Sequence, residues 1–273
     1  MDKPTIAFIG GGNMARSLIG GLVARGHAAA SIRVAEPVPE LRDALAADFG
    51  VQVFDNAGDA ADGAALWLLA VKPQVMRAVC AELTTIAQAQ HPVAVSIAAG
   101  ITATQLQRWL GGPLPIVRAM PNTPALLGAG ITGLYANAET DRSQRERASQ
   151  LLDAVGPTVW LDNEMQMDAV TAVSGSGPAY LFLLAEAMQA AGVAQGLPPE
   201  AARTLVQQTL LGAATMLTQL PEPAGVLRAR VTSPGGTTQA AIETFEAGGF
   251  RSLVDRAIAA ATERGRQLSA AND

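Results

Sequence analysis

The stretch that most restricts what this chain can fold into runs from Ile6 to Ala15. An apolar run, Ile6 to Ile9, breaks into Gly10-x-Gly12-x-x-Ala15 and opens a helix. Gly10 permits a tight turn, Gly12 lets the backbone approach a pyrophosphate, and Ala15 allows the helix to pack closely on its strand. The helix start adds unpaired N–H groups and a positive dipole end for the phosphates. The expected helix, Asn13 to Arg25, carries Met14, Leu18 and Leu22 on one face and stops at Gly26. A tight strand-to-helix turn without a ligand would use the same residues, so the motif needs its context.

That context is a chain of 273 residues, long enough for two domains, with an apolar fraction of 49% and a mean hydropathy of +0.22. No stretch reaches the roughly 18 uninterrupted apolar residues of a membrane helix, so the surplus apolar surface points to a subunit interface. Met1 to Pro4 lead straight into the first strand without a basic or apolar leader, and the single Cys80 has no internal partner. Both features imply a cytoplasmic protein. A net charge of −5 and a pI near 5.1 supply no basic stripe for nucleic acid. The lysines are Lys3 and Lys72, the histidines His27 and His91, and no Lys, His or Cys follows residue 91. A His/Cys metal site is therefore excluded on count, as is a Ser-His or Cys-His pair in the second half.

Strand and helix patterns alternate up to about residue 162. Ile32 to Ala35 reads as a second strand ending in Glu36, 24 residues beyond Gly12. An acidic residue there takes adenosine ribose hydroxyls and disfavours a 2′-phosphate, although a solvated carboxylate beside Pro37 fits as well. Leu41, Leu45 and Phe49 give the next helix its buried stripe. Val51 to Phe54 is a third strand, and Asp55-Asn56 a loop or cap. Ala65 to Val71 reads as a buried parallel strand halted by Lys72-Pro73, which places Lys72 at the ligand-facing edge of a doubly wound sheet. A helix from about Gln74 to Thr85 leads to the strand Val93 to Ile97, whose small exit residues, Ala98 to Gly100, leave room for a flat ring or for close helix packing. Thr102 or Thr104 caps another helix. Ile116-Val117 forms a strand leaving through a stiff loop, Arg118 to Pro124. Gly130 to Tyr135, a helix from Asp141 to Asp153, and Thr158 to Leu161 complete this part. Beyond it helices are indicated at 164–173, 179–191, 199–219, 223–231, 238–247 and 250–268. The third carries a stripe of Leu205, Thr209, Ala213 and Met216 beside Val206, Leu210 and Leu217, wide enough to be buried on most sides. The fold class is α/β: a Rossmann-type doubly wound sheet over 1–162, then an all-helical domain over 163–273.

Four segments resemble the pyrroline-5-carboxylate reductase family: Ala70 to Gln74, Arg118 to Ala125, Asp168 to Tyr180, and Ser233 to Thr238. The resemblance runs from the first glycine loop past Gly249. It implies a dinucleotide-binding domain over 1–162 and a helical dimerisation and substrate-binding domain over 163–273. It also implies reduction of 1-pyrroline-5-carboxylate to L-proline with NADPH or NADH, the last step of proline biosynthesis. Dimers, which in several members assemble into decamers, are part of the same expectation. Carried over by position, the cofactor touches Gly10, Gly12, Asn13, Met14, Asn56 and the loop Ala70, Val71, Lys72, Pro73. Glu164, Thr237 and Thr238 line the substrate site. Glu36 departs from members that hold a 2′-phosphate with a small polar or basic residue.

The residues fit this chemistry on their own terms. Val231 to Thr238 is an extended loop entering a helix through Pro234-Gly235-Gly236, and it offers free N–H groups beside hydroxyls. A small carboxylate fits at Ser233 and Gly236 to Thr238, although an ordinary N-cap with a glycine turn uses the same residues. Reducing a ketone requires a proton donor such as His, Lys or Tyr, and the second half offers only Tyr180. A cyclic imine arrives protonated, so a positioned hydroxyl, Thr238, suffices. Two alternatives remain open at this point. A β-hydroxyacid dehydrogenase-like oxidoreductase shares the opening motif but needs a lysine in its helical domain. A non-catalytic NAD(P)-binding sensor module shares the fold.

Overall fold

The computed structural model describes residues 4–272. Met1 to Lys3, and with them the expected absence of a leader and the first lysine, lie outside the described residues. Two compact units are present: Met1–Ser176 with Ala260–Asp273, and Gly177–Ala259.

The first unit is built on an eight-stranded sheet: β1 (Ile6–Ile9), β2 (Ile32–Ala35), β3 (Gln52–Phe54), β4 (Leu66–Leu69), β5 (Val93–Ser96), β6 (Ile116–Pro121), β7 (Thr132–Ala136) and β8 (Thr158–Trp160). Their spatial order is β3-β2-β1-β4-β5-β6-β7-β8, and every pair is parallel except β6 with β7. Alternate side chains feed two cores. Ile6, Phe8, Leu66 and Leu68 face one layer, while Ala7, Ile9, Trp67 and Leu69 face the other. Burial on both faces explains the continuous apolar runs. The reversal of winding direction lies between β1 and β4, and there the carboxyl ends of the strands open a crevice.

Six helices of this unit lie between strands: α1 (Asn13–Ala24), α2 (Pro39–Phe49), α3 (Ala57–Ala61), α4 (Pro73–Gln90), α5 (Ala103–Trp109) and α6 (Arg142–Leu152); α7 (Gln166–Val170) follows β8. In α1 Leu18 and Ile19 are fully buried, each contributing about 1.5–3 kcal/mol. The 4-3-4 spacing of the buried Met76, Cys80, Leu83 and Ala87 carries α4 beyond the expected end at Thr85. It stops where His91 turns to φ +48 ahead of Pro92. The short α3 lacks a readable apolar stripe, yet the Asn56 side chain caps it by accepting from Asp59 N. Thr102, not Thr104, caps α5 in a full capping box with Gln105.

The expected loop from Arg118 to Pro124 is a correction. Arg118 to Pro121 continue β6, pairing antiparallel with β7 from Val117↔Ala136 to Pro121↔Thr132, and a 3₁₀ turn covers Thr123–Leu127. Pro121 stands at the strand's last position, where its missing N–H costs little. The expected helix 164–173 is likewise broken: after α7 the backbone widens into a π turn, Thr171–Gly175. Asn122 Nδ2 donates to Ser174 O of that turn at 3.1 Å.

The second unit is helical: α8 (Gly177–Ala194), α9 (Pro199–Gln219), α10 (Ala224–Arg230), α11 (Thr237–Ala247) and the start of α12 (Phe250–Ala271). The compact units divide at residue 176, with residues 260–273 in the first unit, while the alternation of strands and helices ends with β8 at Trp160. The stripe expected to be buried in α9 is exposed in the single chain. Val206 is buried, but Leu205, Leu211 and Leu217 are more than half exposed, as are Leu181, Phe182 and Leu183 of α8. So much contiguous apolar surface on paired helices marks an interaction face. No helix among the described residues is long and apolar enough to cross a membrane.

Candidate active site

At the switch point, Gly10 adopts φ +106, and a Cβ there would lie 2.8 Å from Ala70 O. That contact brings the glycine loop against the exit of β4. Gly10 N donates to Ala35 O at 2.9 Å. Gly12 is the N-cap of α1, and no side chain caps the helix; a Cβ on Gly12 would meet nothing within 4 Å. Uncapped N–H groups at Asn13 and Met14, a twelve-residue helix dipole and open space over Gly12 fit the pyrophosphate of a dinucleotide.

Glu36 is buried rather than solvated. Its Oε2 accepts from Gly11 N at 2.9 Å and its Oε1 from Val38 N at 3.0 Å, so the carboxylate ties the phosphate loop to the end of β2. Each oxygen keeps a second lone pair for a ribose hydroxyl. Arg42 Nη1 donates to the Glu36 carbonyl at 2.8 Å. Asn56 uses its side chain locally, accepting from Asp59 N and donating to Asp55 and Asp59. Ala70 to Pro73 leave β4 directly into α4, with Lys72 exposed at the N-cap and Pro73 in its first turn.

Glu164 is held by two contacts within the first unit. Its Oε1 accepts from Ala103 N at 2.7 Å and pairs with Arg118 Nη1 at 2.9 Å. The carboxylate thus pins the start of α5 to β6. Asp168 stands nearby: burial pushes its carboxyl up, Arg118 and Arg266 oppose the rise, and Glu164 adds to it. Charged groups in an apolar strand exit are the sequence signal that reading alone passed over at Arg118.

In the second unit, Ser233 to Thr238 form the glycine-rich entry to α11. Gly235 sits at φ +71, Gly236 N donates to Ser233 O at 3.0 Å, and Gly235 N donates to Gln239 Oε1 at 2.7 Å. Gly236 is the N-cap, in extended backbone, and no side chain caps the helix. The N–H groups of Thr237 and Thr238 therefore open the eleven-residue helix beside the Ser233, Thr237 and Thr238 hydroxyls, a combination suited to a carboxylate.

Comparison with known proteins agrees with these features. Residues 5–100 match the family described as NADP oxidoreductase, coenzyme F420-dependent, and residues 164–268 match the pyrroline-5-carboxylate reductase dimerisation domain. Pyrroline-5-carboxylate reductase of Pseudomonas aeruginosa is 54% identical over 270 residues, 98% of each chain. The chain belongs to the pyrroline-5-carboxylate reductase family. A solved member of that family from Coxiella burnetii is 42% identical, with a TM-score of 0.94 over 97% of this chain and 98% of the other. The Plasmodium falciparum pyrroline carboxylate reductase, solved with NADP bound, is 26% identical, with a TM-score of 0.85 over 98% of this chain and 99% of that one.

A second group unforeseen in the sequence of this family member is Glu222, in the loop before α10. Its Oε1 pairs with Arg230 at 2.5 Å, while its Oε2 is buried with no hydrogen-bond partner among the described residues. A lone glutamate between two prolines gives no periodic signal, so nothing in the pattern singled it out.

Proposed function

We propose that the chain transfers hydride from NADPH or NADH to 1-pyrroline-5-carboxylate, giving L-proline. The observation that carries this reading is the entry of α11, a carboxylate-sized nest of N–H groups and hydroxyls in a half of the chain that has no Lys or His. Relatives of that name across the whole length support it. When bound, the nicotinamide cofactor supplies the hydride. The backbone at Gly10, Gly12, Asn13 and Met14 holds its pyrophosphate, Glu36 its ribose, and Ala70 to Pro73 border the ring, with Asn56 at the rim of the crevice. Gly236 to Thr238, with Ser233, hold the substrate carboxylate, and Thr238 meets the ring nitrogen. A substrate that arrives as an iminium needs orientation and a proton relay rather than a strong acid. Glu164 supports the site through α5, with Oε2 as its route to the substrate.

Oxidation of NADPH, followed by its absorbance, should require pyrroline-5-carboxylate. Reduction of NADP+ by a β-hydroxy acid without any oxidation of NADPH by pyrroline-5-carboxylate, or no activity in either assay, would overturn the reading.

Residues 1–162 act as the dinucleotide-binding domain and 163–273 as the dimerisation and substrate-binding domain of a cytoplasmic homodimer. The exposed faces of α8 and α9 form the subunit contact, and association of dimers into a decamer is the larger assembly we propose. Sedimentation at micromolar concentration should find no folded monomer. Glu36 makes NADH usable, because its fixed carboxylate repels a 2′-phosphate while accepting ribose hydroxyls. The ratio of kcat/KM for NADPH over NADH should stay below about a hundredfold, or about 2.7 kcal/mol. A larger ratio would place the 2′-phosphate away from Glu36.

A further inference from the structure

The loop between β5 and α5, residues 97–102, leaves the carboxyl edge of the sheet next to β4. Its small residues include Ala98 and Gly100, both buried, and the half-buried Ala99. The last turns of α12, which belong to the first unit, grip this loop and the helix that follows. Asn272 Nδ2 donates to Gly100 O at 3.1 Å and also to Leu268 O at 2.9 Å. Gln105 Nε2 donates to Ser269 O at 3.1 Å, while its Oε1 accepts from Thr102 N at 2.8 Å.

Two glycines let these pieces approach. Gly100 adopts φ +71, and a Cβ there would lie 3.2 Å from Leu268. A Cβ on Gly265 would lie 3.0 Å from Asp168 Oδ1, so α12 is seated directly on α7. Glu164 fixes the other end of the loop through Ala103 N. The loop is held at Gly100, at Thr102 and at Ala103, and its middle contact comes from a residue 172 positions away in sequence. Nothing in the hydrophobic packing of α5 requires an amide at either position, since α5 is already buried through Ala103, Leu106 and Trp109.

We propose that the C-terminal turn of α12 is a latch on the β5–α5 loop, and that Asn272 and Gln105 are positioning residues for hydride transfer. The proposal rests on the reductase reading above, in which Ala70 to Pro73 at the exit of β4 border the ring, and extends it to the loop that leaves the neighbouring strand β5 at the same sheet edge. The latch acts on the reacting end of the cofactor, whereas binding affinity comes from the pyrophosphate and ribose contacts at Gly10 to Met14 and Glu36. Loosening it should therefore slow the chemical step and spare affinity, because misplacement by an ångström is felt in rate.

The test uses the full-length enzyme and two substitutions. Asn272→Ala removes the donor to Gly100 O. Gln105→Glu keeps an oxygen acceptor for Thr102 N but sets an oxygen against Ser269 O in place of the N–H. Single-turnover oxidation of NADPH by pyrroline-5-carboxylate should slow about fivefold in each variant and more than about tenfold in the pair. The Kd of NADPH, read from its fluorescence, should stay within about twofold, and Tm within about 4 °C. Wild-type turnover in the same assay checks the reductase reading separately. An active wild type with variants of unchanged rate would overturn the latch. So would rate losses matched by equal losses of NADPH affinity or by a collapse in Tm, since a merely structural contact behaves that way.

Discussion

Gly12→Val is expected to leave the chain folded and to raise the Kd of NADPH at least about a hundredfold, or about 2.7 kcal/mol. Gly12 stands at φ −66 and ψ −177, a conformation open to any L-residue, and nothing lies within 4 Å of the position its Cβ would take. The fold therefore has room for the side chain. The cofactor does not, because the two methyl groups of valine would fill the space through which a pyrophosphate reaches the N–H groups of α1. Valine is a poorer N-cap than glycine, which costs the helix up to about 1 kcal/mol and lowers Tm by about 4 °C at most. Fluorescence titration and thermal unfolding separate the two effects. A Kd within about tenfold of wild type would mean that the dinucleotide does not cross Gly12.

Thr238→Ala should lower kcat/KM by about 1–3 kcal/mol, the order of one buried hydrogen bond, without abolishing turnover. Thr238 lies one residue inside α11, behind an N-cap that supplies no side-chain acceptor. Its hydroxyl can donate to or accept from a ring nitrogen as the protonation of that nitrogen changes. The substrate's own basicity provides most of the activation, so the loss is bounded. Thr238→Ser should recover most of it, because the hydroxyl returns without the methyl. Full kcat/KM for Thr238→Ala in a folded dimer would pass the role to Thr237 or to an ordered water.

The first half of the fold was readable because a parallel sheet buried on both faces writes unbroken apolar runs, and Leu66 to Leu69 is one of them. Gly10 and Gly12 were readable because backbone approach leaves few alternatives to glycine. Local patterning said less about Arg118 to Pro121. Prolines and a charge suggest a loop, and only the distant Glu164 and the opposing strand from Thr132 make that segment a strand. The same holds for Glu36, whose position was legible and whose donor at Val38 is local, but whose second main-chain donor, Gly11, is brought in only by tertiary closure. In α9 periodicity gave the helix its bounds, Pro199 to Gln219, but it cannot distinguish a face buried within the chain from one awaiting a second copy. Glu164 was placed by family position, and its bond to Ala103 spans 61 residues that no window covers.

Cys80 lies fully buried on α4, and burial pushes its thiol up to about 12. At neutral pH it carries almost no thiolate, the form that peroxide, glutathione disulfide and alkylating reagents attack. The chain has no other cysteine, so oxidative stress has no sulfhydryl by which to inactivate or regulate this enzyme. Among the described residues the sulfurs open to oxidation are thioethers, Met165 at 74% exposure ahead of Met216 and Met188, and their sulfoxides are repaired by a different class of reductase. A cell under oxidant load could keep making product here while its thiol-dependent enzymes stall.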